Sequence, residues 1–326
     1  MPRSYYIFSS GRVKRKENTI YIETKEGEKK SIPVEDVDDL YFFGEIDLNS
    51  RLLNFLSQHN KVIHFYNHYG FYFGSFVPRN RNVSGDLVVK QVQHYVEPDK
   101  RLYLAYCFIE SGLFHMIWNL KEYEDTLEFQ EKIKTELERA SKAKSVAEVM
   151  GCEGRAREAY YKSFNVITKE KFLMDKREKR PPTNPLNALI SFANSMVYTA
   201  VLSEIYRTQL NPTISYLHEP RENRYSLSLD ISEIFKPIIG DTIIFKLINN
   251  NVIKIDDFDK DIGYCYLNEE GRKKFVKAFD EKIRSTIKHK KLKRKVSYKS
   301  LIRLECYKII KHLIGDNVYK PLKAWW

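Results

Sequence analysis

The stretch KVIHFYNHYGFYFGSFVPRNRNVSGDLVVK, residues 61–90, is where the pattern of the chain changes. Its first eighteen residues are aromatic and β-branched, and NHYG at 67–70 supplies turn formers, so they read as a β-hairpin. PRNRNVSGD, residues 78–86, is rich in turn formers and arginine and reads as a linker. From Leu87 onward the apolar spacing is mostly helical. The fold class that follows is α+β: a small N-terminal β-rich domain, residues 1–82, then a larger all-α C-terminal domain, residues 83–326.

On the N-terminal side, ENTIYIET places Ile20 and Ile22 on one face of a strand, and VDDLYFFGEIDL reads as another. Between that strand and the hairpin, LNSRLLNFLSQHN has Leu52, Leu53 and Leu56 at helical spacing, with Asn49 or Ser50 as its cap. On the C-terminal side, RLYLAYCFIESGLFHMIWNL is apolar on nearly every side, as expected of a helix in the middle of a bundle. KEYEDTLEFQEKIKTELERASKAKSVAEVM is amphipathic and charged, a more exposed helix or helical pair. Asn184 before Pro185 opens a helix whose small residues permit close packing.

Composition narrows the function classes. With 326 residues and 43% hydrophobic content the chain can bury a large core, which excludes a disordered protein. A formal charge of +12 and a pI near 9.2 favour a polyanionic partner. No run of eighteen uncharged apolar residues occurs and the first residues lack a signal-peptide core, so no membrane role is expected. Cys107, Cys152, Cys265 and Cys306 stand far apart and form no C-x-x-C pair, which argues against a zinc ribbon and for a reducing cytoplasm.

Chemistry concentrates in three segments. DISE, residues 230–233, fits a capping box, with Asp230 on the backbone and Glu233 reaching back after an extended Tyr225, Leu227, Leu229 run. The same spacing also sets two carboxylates close together on one helix turn. His218 in ISYLHEPREN ends an apolar run before Pro220, as a structural hydrogen-bonder or a metal ligand. Glu153 in GCEGRAREAYYKSF sits in or beside the first turn of a helix. It either complements the helix dipole or, flanked by Gly151 and Gly154, lies where a ligand approaches closely. Taken together, a Glu, a His and an Asp/Glu pair are hard oxygen and imidazole donors that suit Mg²⁺ or Mn²⁺ better than thiolate-held zinc. Such an ion can activate a hydroxyl and offset charge on a phosphate.

These segments resemble the CRISPR-associated endonuclease one family, the integrase subunit of CRISPR spacer acquisition. GCEGRAREAYY, NPLNALISFANSMVYTAVLSEIY, ISYLHEPREN and SLDISEIFKP occur in the family's order. YYIFSSGRVKRKENTIYIE, FGEIDLN, HFYNHYGFYFGSFVPR and RLYLAYCFIESG are also similar, particularly to the type I-B form. The resemblance runs over nearly the whole chain. It implies a β domain that dimerises, a helical catalytic domain, and a divalent metal held by Glu153, His218 and Glu233, with Asp230 a second acid close by. Glu233 stands where many relatives have Asp, and Asn184 where some have Asp. The implied reaction, part of antiviral defence, is attack of a DNA 3′-hydroxyl on a phosphodiester of the CRISPR array. The implied partners are DNA, a second copy of the chain, and a dimer of CRISPR-associated protein two bridging two such homodimers.

DNA would be held along its phosphates by Lys and Arg. IRSTIKHKKLKRKVSYKS carries Arg284, Lys288, Lys290, Lys291, Lys293, Arg294 and Lys295, which form either a solvated helical face or a DNA contact. Arg79 and Arg81 in the linker, and Arg221 and Arg224 beside His218, are further candidates. Tyr160, Tyr161 and Tyr198 belong either to the core or to a stacking surface for DNA ends. Two rival functions remain open on the residues alone: a stand-alone branched-DNA nuclease, and a non-catalytic nucleic-acid scaffold.

Overall fold

A computed structural model describes residues 2–79, 83–168, 170–178, 181–261 and 263–326. The N-terminal part contains β1 (Arg3–Ile7), β2 (Gly11–Lys16), β3 (Thr19–Thr24), β4 (Lys29–Pro33), β5 (Val37–Phe42), β6 (Ile46–Asp47), helix α1 (Ser50–Gln58), β7 (Val62–Tyr66) and β8 (Tyr72–Phe76). They form two four-stranded sheets, ordered β1-β5-β7-β8 and β4-β3-β2-β6. Strands β1, β5 and β7 run parallel, and β7–β8 is the antiparallel hairpin expected from its NHYG turn. Asn49 caps α1 by accepting from the Leu52 amide.

Helices α2 (Gly85–Val96), α3 (Pro98–Leu120), α4 (Leu127–Ala140), α5 (Val146–Ile167), α6 (Pro185–Tyr206), α7 (Ser226–Phe235), α8 (Thr242–Asn249), α9 (Glu269–Arg284) and α10 (Tyr298–Leu313) make up most of the remainder. It is not purely helical. The hairpins β9 (Phe258–Asp261) with β10 (Tyr264–Leu267), and β11 (Thr286–Lys288) with β12 (Lys295–Ser297), interrupt it. The expected domain boundary at residue 82 lies outside the described residues. Helix α6 is long and apolar enough to cross a membrane by composition, yet most of it is buried in the bundle.

The basic stretch from Lys288 to Lys295 is a hairpin and no helical face, while Arg284 ends α9. Val296 is buried while its neighbours Lys295 and Ser297 are not, the period-2 burial of a strand. The C-terminal tail folds back along α3. The Tyr103 hydroxyl donates to the Tyr319 carbonyl at 2.7 Å, and the Ala324 amide donates to His115 Nε2 at 3.0 Å. Both terminal tryptophans lie on the body: Trp325 donates to the Lys288 carbonyl, and Trp326 meets the Tyr298 ring edge-on.

Strand β5 joins the two halves through its pleat. Leu40 and Phe42 enter the core between the sheets and α1, while Tyr41 belongs to the core of the helical bundle. The same alternation turns Asp39 toward the bundle, where it is fully buried. Its carboxylate meets Arg207, just beyond α6, at 2.7 Å and Lys299 of α10 at 2.6 Å. Burial alone would raise the Asp39 pKa, but the two cations outweigh it and hold the group well below the carboxylate range. Removing one partner of such a cluster leaves buried charge uncompensated, which costs roughly 3 kcal/mol or more. Asp39→Ala is expected to lower unfolding stability by that order in urea titrations, whereas Lys25→Ala, at an exposed ion pair, leaves it within about 0.5 kcal/mol.

Candidate active site in a basic cleft

Glu153, His218 and Glu233 come from three separate segments and border one cleft of about 2080 Å³. That exceeds the range of small-molecule pockets, roughly 300–1,000 Å³, and suits a polymer. Arg221, Arg224 and Tyr198 line it as well.

Helix α5 brings Glu153. Its N-cap is Ser145, whose hydroxyl accepts from the Glu148 amide, so the helix starts a full two turns before the expected place. Glu153 thus stands mid-helix and complements no dipole terminus. Gly154, beside it, lines the cleft, and a Cβ there would meet nothing within 4 Å. Arg155 turns away to pair with Glu136 of α4 at 2.7 Å.

Helix α7 brings Asp230 and Glu233, and here the capping-box expectation fails. The helix begins at Ser226, so both acids lie inside it. The alternating SLSL run misleads because nine of the ten residues are buried, and a helix buried on all sides has no polar face to reveal its period. Helix α3 packs against α7 at Glu233, where a Cβ on Gly112 would stand 3.0 Å from the Glu233 carbonyl oxygen. His115 of α3 also donates from Nδ1 to the Ile234 carbonyl at 2.8 Å, since its Nε2 accepts from Ala324.

Asp230 and Glu233 occupy adjoining faces of α7 and have different surroundings. Asp230 has no exposure and lies behind the cleft wall. It accepts from the amides of Tyr216, Leu217 and His218 at 2.7, 2.9 and 3.0 Å, and from His218 Nδ1 at 2.8 Å. The loop after α6 is thereby wrapped around one carboxylate, and the imidazole is turned so that Nε2 keeps its lone pair when the ring is neutral. Both Asp230 oxygens are therefore already engaged by the loop.

Glu233, 4% exposed, points to the cleft. Arg157, one turn after Glu153, donates Nε to Glu153 and Nη2 to Glu233, so one guanidinium bridges the two carboxylates. Lys236 meets the other Glu233 oxygen at 2.5 Å. Burial pushes the Glu233 pKa up, yet Arg157 and Lys236 outweigh it and hold it below the usual range. Deeper in, burial raises the Asp241 pKa to about 7. Lys236 and Arg177, both on the cleft wall, were not singled out by sequence; the i,i+3 spacing of Lys236 from Glu233 was the available signal.

The donor set suits a hard divalent ion: two carboxylates that already converge on one cation, and an imidazole fixed through its other nitrogen. Among the described residues, no three such side chains are yet gathered at metal-binding spacing. Of the other basic candidates, Arg79 is exposed, Arg81 lies outside the described residues, and none of those at 284–295 lines the cleft. Tyr160 is in the core, while Tyr161 reaches the cleft wall.

Support and chemistry separate by stability. Asp230→Ala strands three amides and is expected to cost on the order of 3 kcal/mol in urea unfolding. His218→Ala is expected to cost about 1 kcal/mol or less. Equal costs would contradict the division of roles.

Comparison with known proteins gives the family. Residues 5–281 match the model of CRISPR associated protein Cas1. A CRISPR-associated endonuclease Cas1 of Thermodesulfovibrio yellowstonii is 66% identical over 324 residues, covering 99% of this chain and 100% of that one. Its counterpart in Clostridium perfringens is 56% identical over the full length of both. The solved Cas1 structure from Thermotoga maritima superposes with a TM-score of 0.88 at 42% identity, over 98% of this chain and 100% of that one. A casposase bound to its integration product shares the fold at a TM-score of 0.85 and 18% identity, over 98% and 92% of the two chains. The chain belongs to the CRISPR-associated Cas1 family.

Proposed function

We propose that this chain is the metal-dependent DNA integrase and endonuclease of CRISPR adaptation, joining the 3′-hydroxyl of a DNA fragment to a phosphodiester of the CRISPR array. The observation that carries the proposal is the meeting of Glu153, Glu233 and His218 on one large basic cleft. Its setting is a chain whose 66%-identical relative is named a CRISPR-associated endonuclease.

Glu153, Glu233 and His218 Nε2 would hold a Mg²⁺ or Mn²⁺ ion. When bound, that ion supplies Lewis-acid stabilisation of charge on the phosphate and a more acidic hydroxyl. The protein's own residues do the rest. Asp230 fixes the imidazole, so its lone pair needs no reorganisation before it can bind. Arg221 and Arg224 follow His218 on the cleft wall, within reach of a backbone entering it. Arg177 is held by the Asn187 side chain at 2.9 Å and Ser191 at 2.9 Å, which presents a rigid cationic wall. With a 3′-hydroxyl as nucleophile the product is joined DNA; with water it is cut DNA.

The partners follow the same reading. A second copy of the chain would pair through the β-rich region, and a CRISPR-associated protein two dimer would bridge two such pairs. A solved Cas6-RT-Cas1–Cas2 complex contains a chain that shares this fold at a TM-score of 0.83 and 16% identity, over 99% of this chain and 36% of that one.

The test uses a labelled fragment with free 3′-hydroxyls, a repeat-containing plasmid and Mn²⁺, with and without the small partner. Joining is expected from the wild type and is expected to fall at least 100-fold in Glu153→Ala and His218→Ala, both folded. Cutting without joining would favour the branched-DNA nuclease, and neither reaction would leave the scaffold.

A further inference from the structure

Arg157 has no assigned part in this chemistry, and its geometry is specific. It lies one helical turn from Glu153 on α5, with its side chain 13% exposed. Two of its three nitrogens, Nε and Nη2, donate to two different carboxylates, on α5 and on α7. Arg155, two residues away, also pairs across helices, but it is exposed and reaches one carboxylate, whereas Arg157 is nearly buried and joins two. Among the described residues, the guanidinium is the one side chain that hydrogen-bonds to both Glu153 and Glu233.

The charges balance without any added ion. Glu153 and Glu233 carry two negative charges; Arg157 and Lys236 carry two positive ones. Both oxygens of Glu233 are engaged, one by each cation. A divalent ion needs oxygens from both carboxylates; each bond they accept from Arg157 or Lys236 draws charge away from the ion, and the guanidinium itself repels a dication. This accounts for three ligands that border one cleft without being gathered at metal spacing among the described residues. The side chain can turn into the cleft, whose wall it forms.

We propose that Arg157 is the built-in counter-cation of the metal site: it bridges Glu153 and Glu233, and its charge opposes a divalent ion there until the side chain turns away. It is a positioning residue, and it competes with the metal instead of assisting its binding. Metal affinity is then the difference between ion coordination and the lost guanidinium bridge. In the absence of the clamp, two facing carboxylates repel each other, and an entering dication relieves that repulsion. The inference rests on the proposed metal site, and the experiment separates the two.

Mn²⁺ is titrated into the DNA-free full-length protein, and free Mn²⁺ is read by its electron paramagnetic resonance signal. The proteins are wild type, Arg157→Gln, Arg157→Lys, His218→Ala, and Arg157→Gln combined with His218→Ala. Arg157→Gln is expected to bind Mn²⁺ on the order of 10-fold more tightly than wild type, with Arg157→Lys in between. Its apo form is expected to melt lower and to gain more from Mn²⁺ in thermal unfolding. His218→Ala is expected to abolish binding in both backgrounds. General damage to the site could only weaken binding, so a tighter variant is not explained by misfolding. If wild type binds Mn²⁺ through His218 and Arg157→Gln binds equally or more weakly, the counter-cation role is overturned and the metal site stands. If neither wild type nor Arg157→Gln binds, both fall.

Discussion

The site depends on one buried carboxylate. Asp230 collects three consecutive backbone amides and one imidazole nitrogen, and so ties the loop after α6 to the middle of α7. A buried charged acceptor left without donors costs several kcal/mol, so the loop cannot drift without that penalty. Because Glu233 is one turn further along the same helix, the arrangement that aims His218 also fixes its distance from Glu233. Helix α3 presses Gly112 onto the Glu233 carbonyl, and His115 links the next carbonyl to the C-terminal tail. Position at the cleft is thus inherited from packing several layers behind it.

Charge is arranged in two tiers. The clusters behind the surface, Asp38, Asp39 and Glu204 with Arg207, Lys299 and Arg303, and Glu153 and Glu233 with Arg157 and Lys236, are internally balanced. The excess positive charge of the chain therefore sits on solvated residues such as those of the β11–β12 hairpin, where it can meet a polyanion. The first tier fixes geometry and the second sets the partner class. Arg221 and Arg224 border the cleft itself, so the attraction reaches the place where the carboxylates converge.

Much of this was legible in the sequence. Period-2 alternation in VDDLYFF and the NHYG turn gave the strands, and Asn184–Pro185 marked the start of α6 correctly. Glu153, His218 and Glu233 were legible as residues but not as neighbours, because their proximity is produced by packing between α5, α7 and a loop. The start of α7 was misread, since a short apolar-alternating run fits a strand as well as a fully buried helix. The helical reading of the basic stretch fails for a related reason: lysines dominate it, and only Ile287 and Val296 carry the strand period. Nothing local could show that Asp230 faces a loop a dozen residues upstream, or that Arg157 reaches α7.

The most direct test of the account is where a metal ion lies. Crystals of the protein grown with Mn²⁺ would be measured at a wavelength giving anomalous signal from manganese. A single strong peak bounded by Glu153, His218 Nε2 and Glu233, with Asp230 behind the imidazole and Arg157 swung off the carboxylates, is the predicted result. A manganese peak elsewhere, or one coordinated by Asp230 while Arg157 still bridges Glu153 and Glu233, would contradict it.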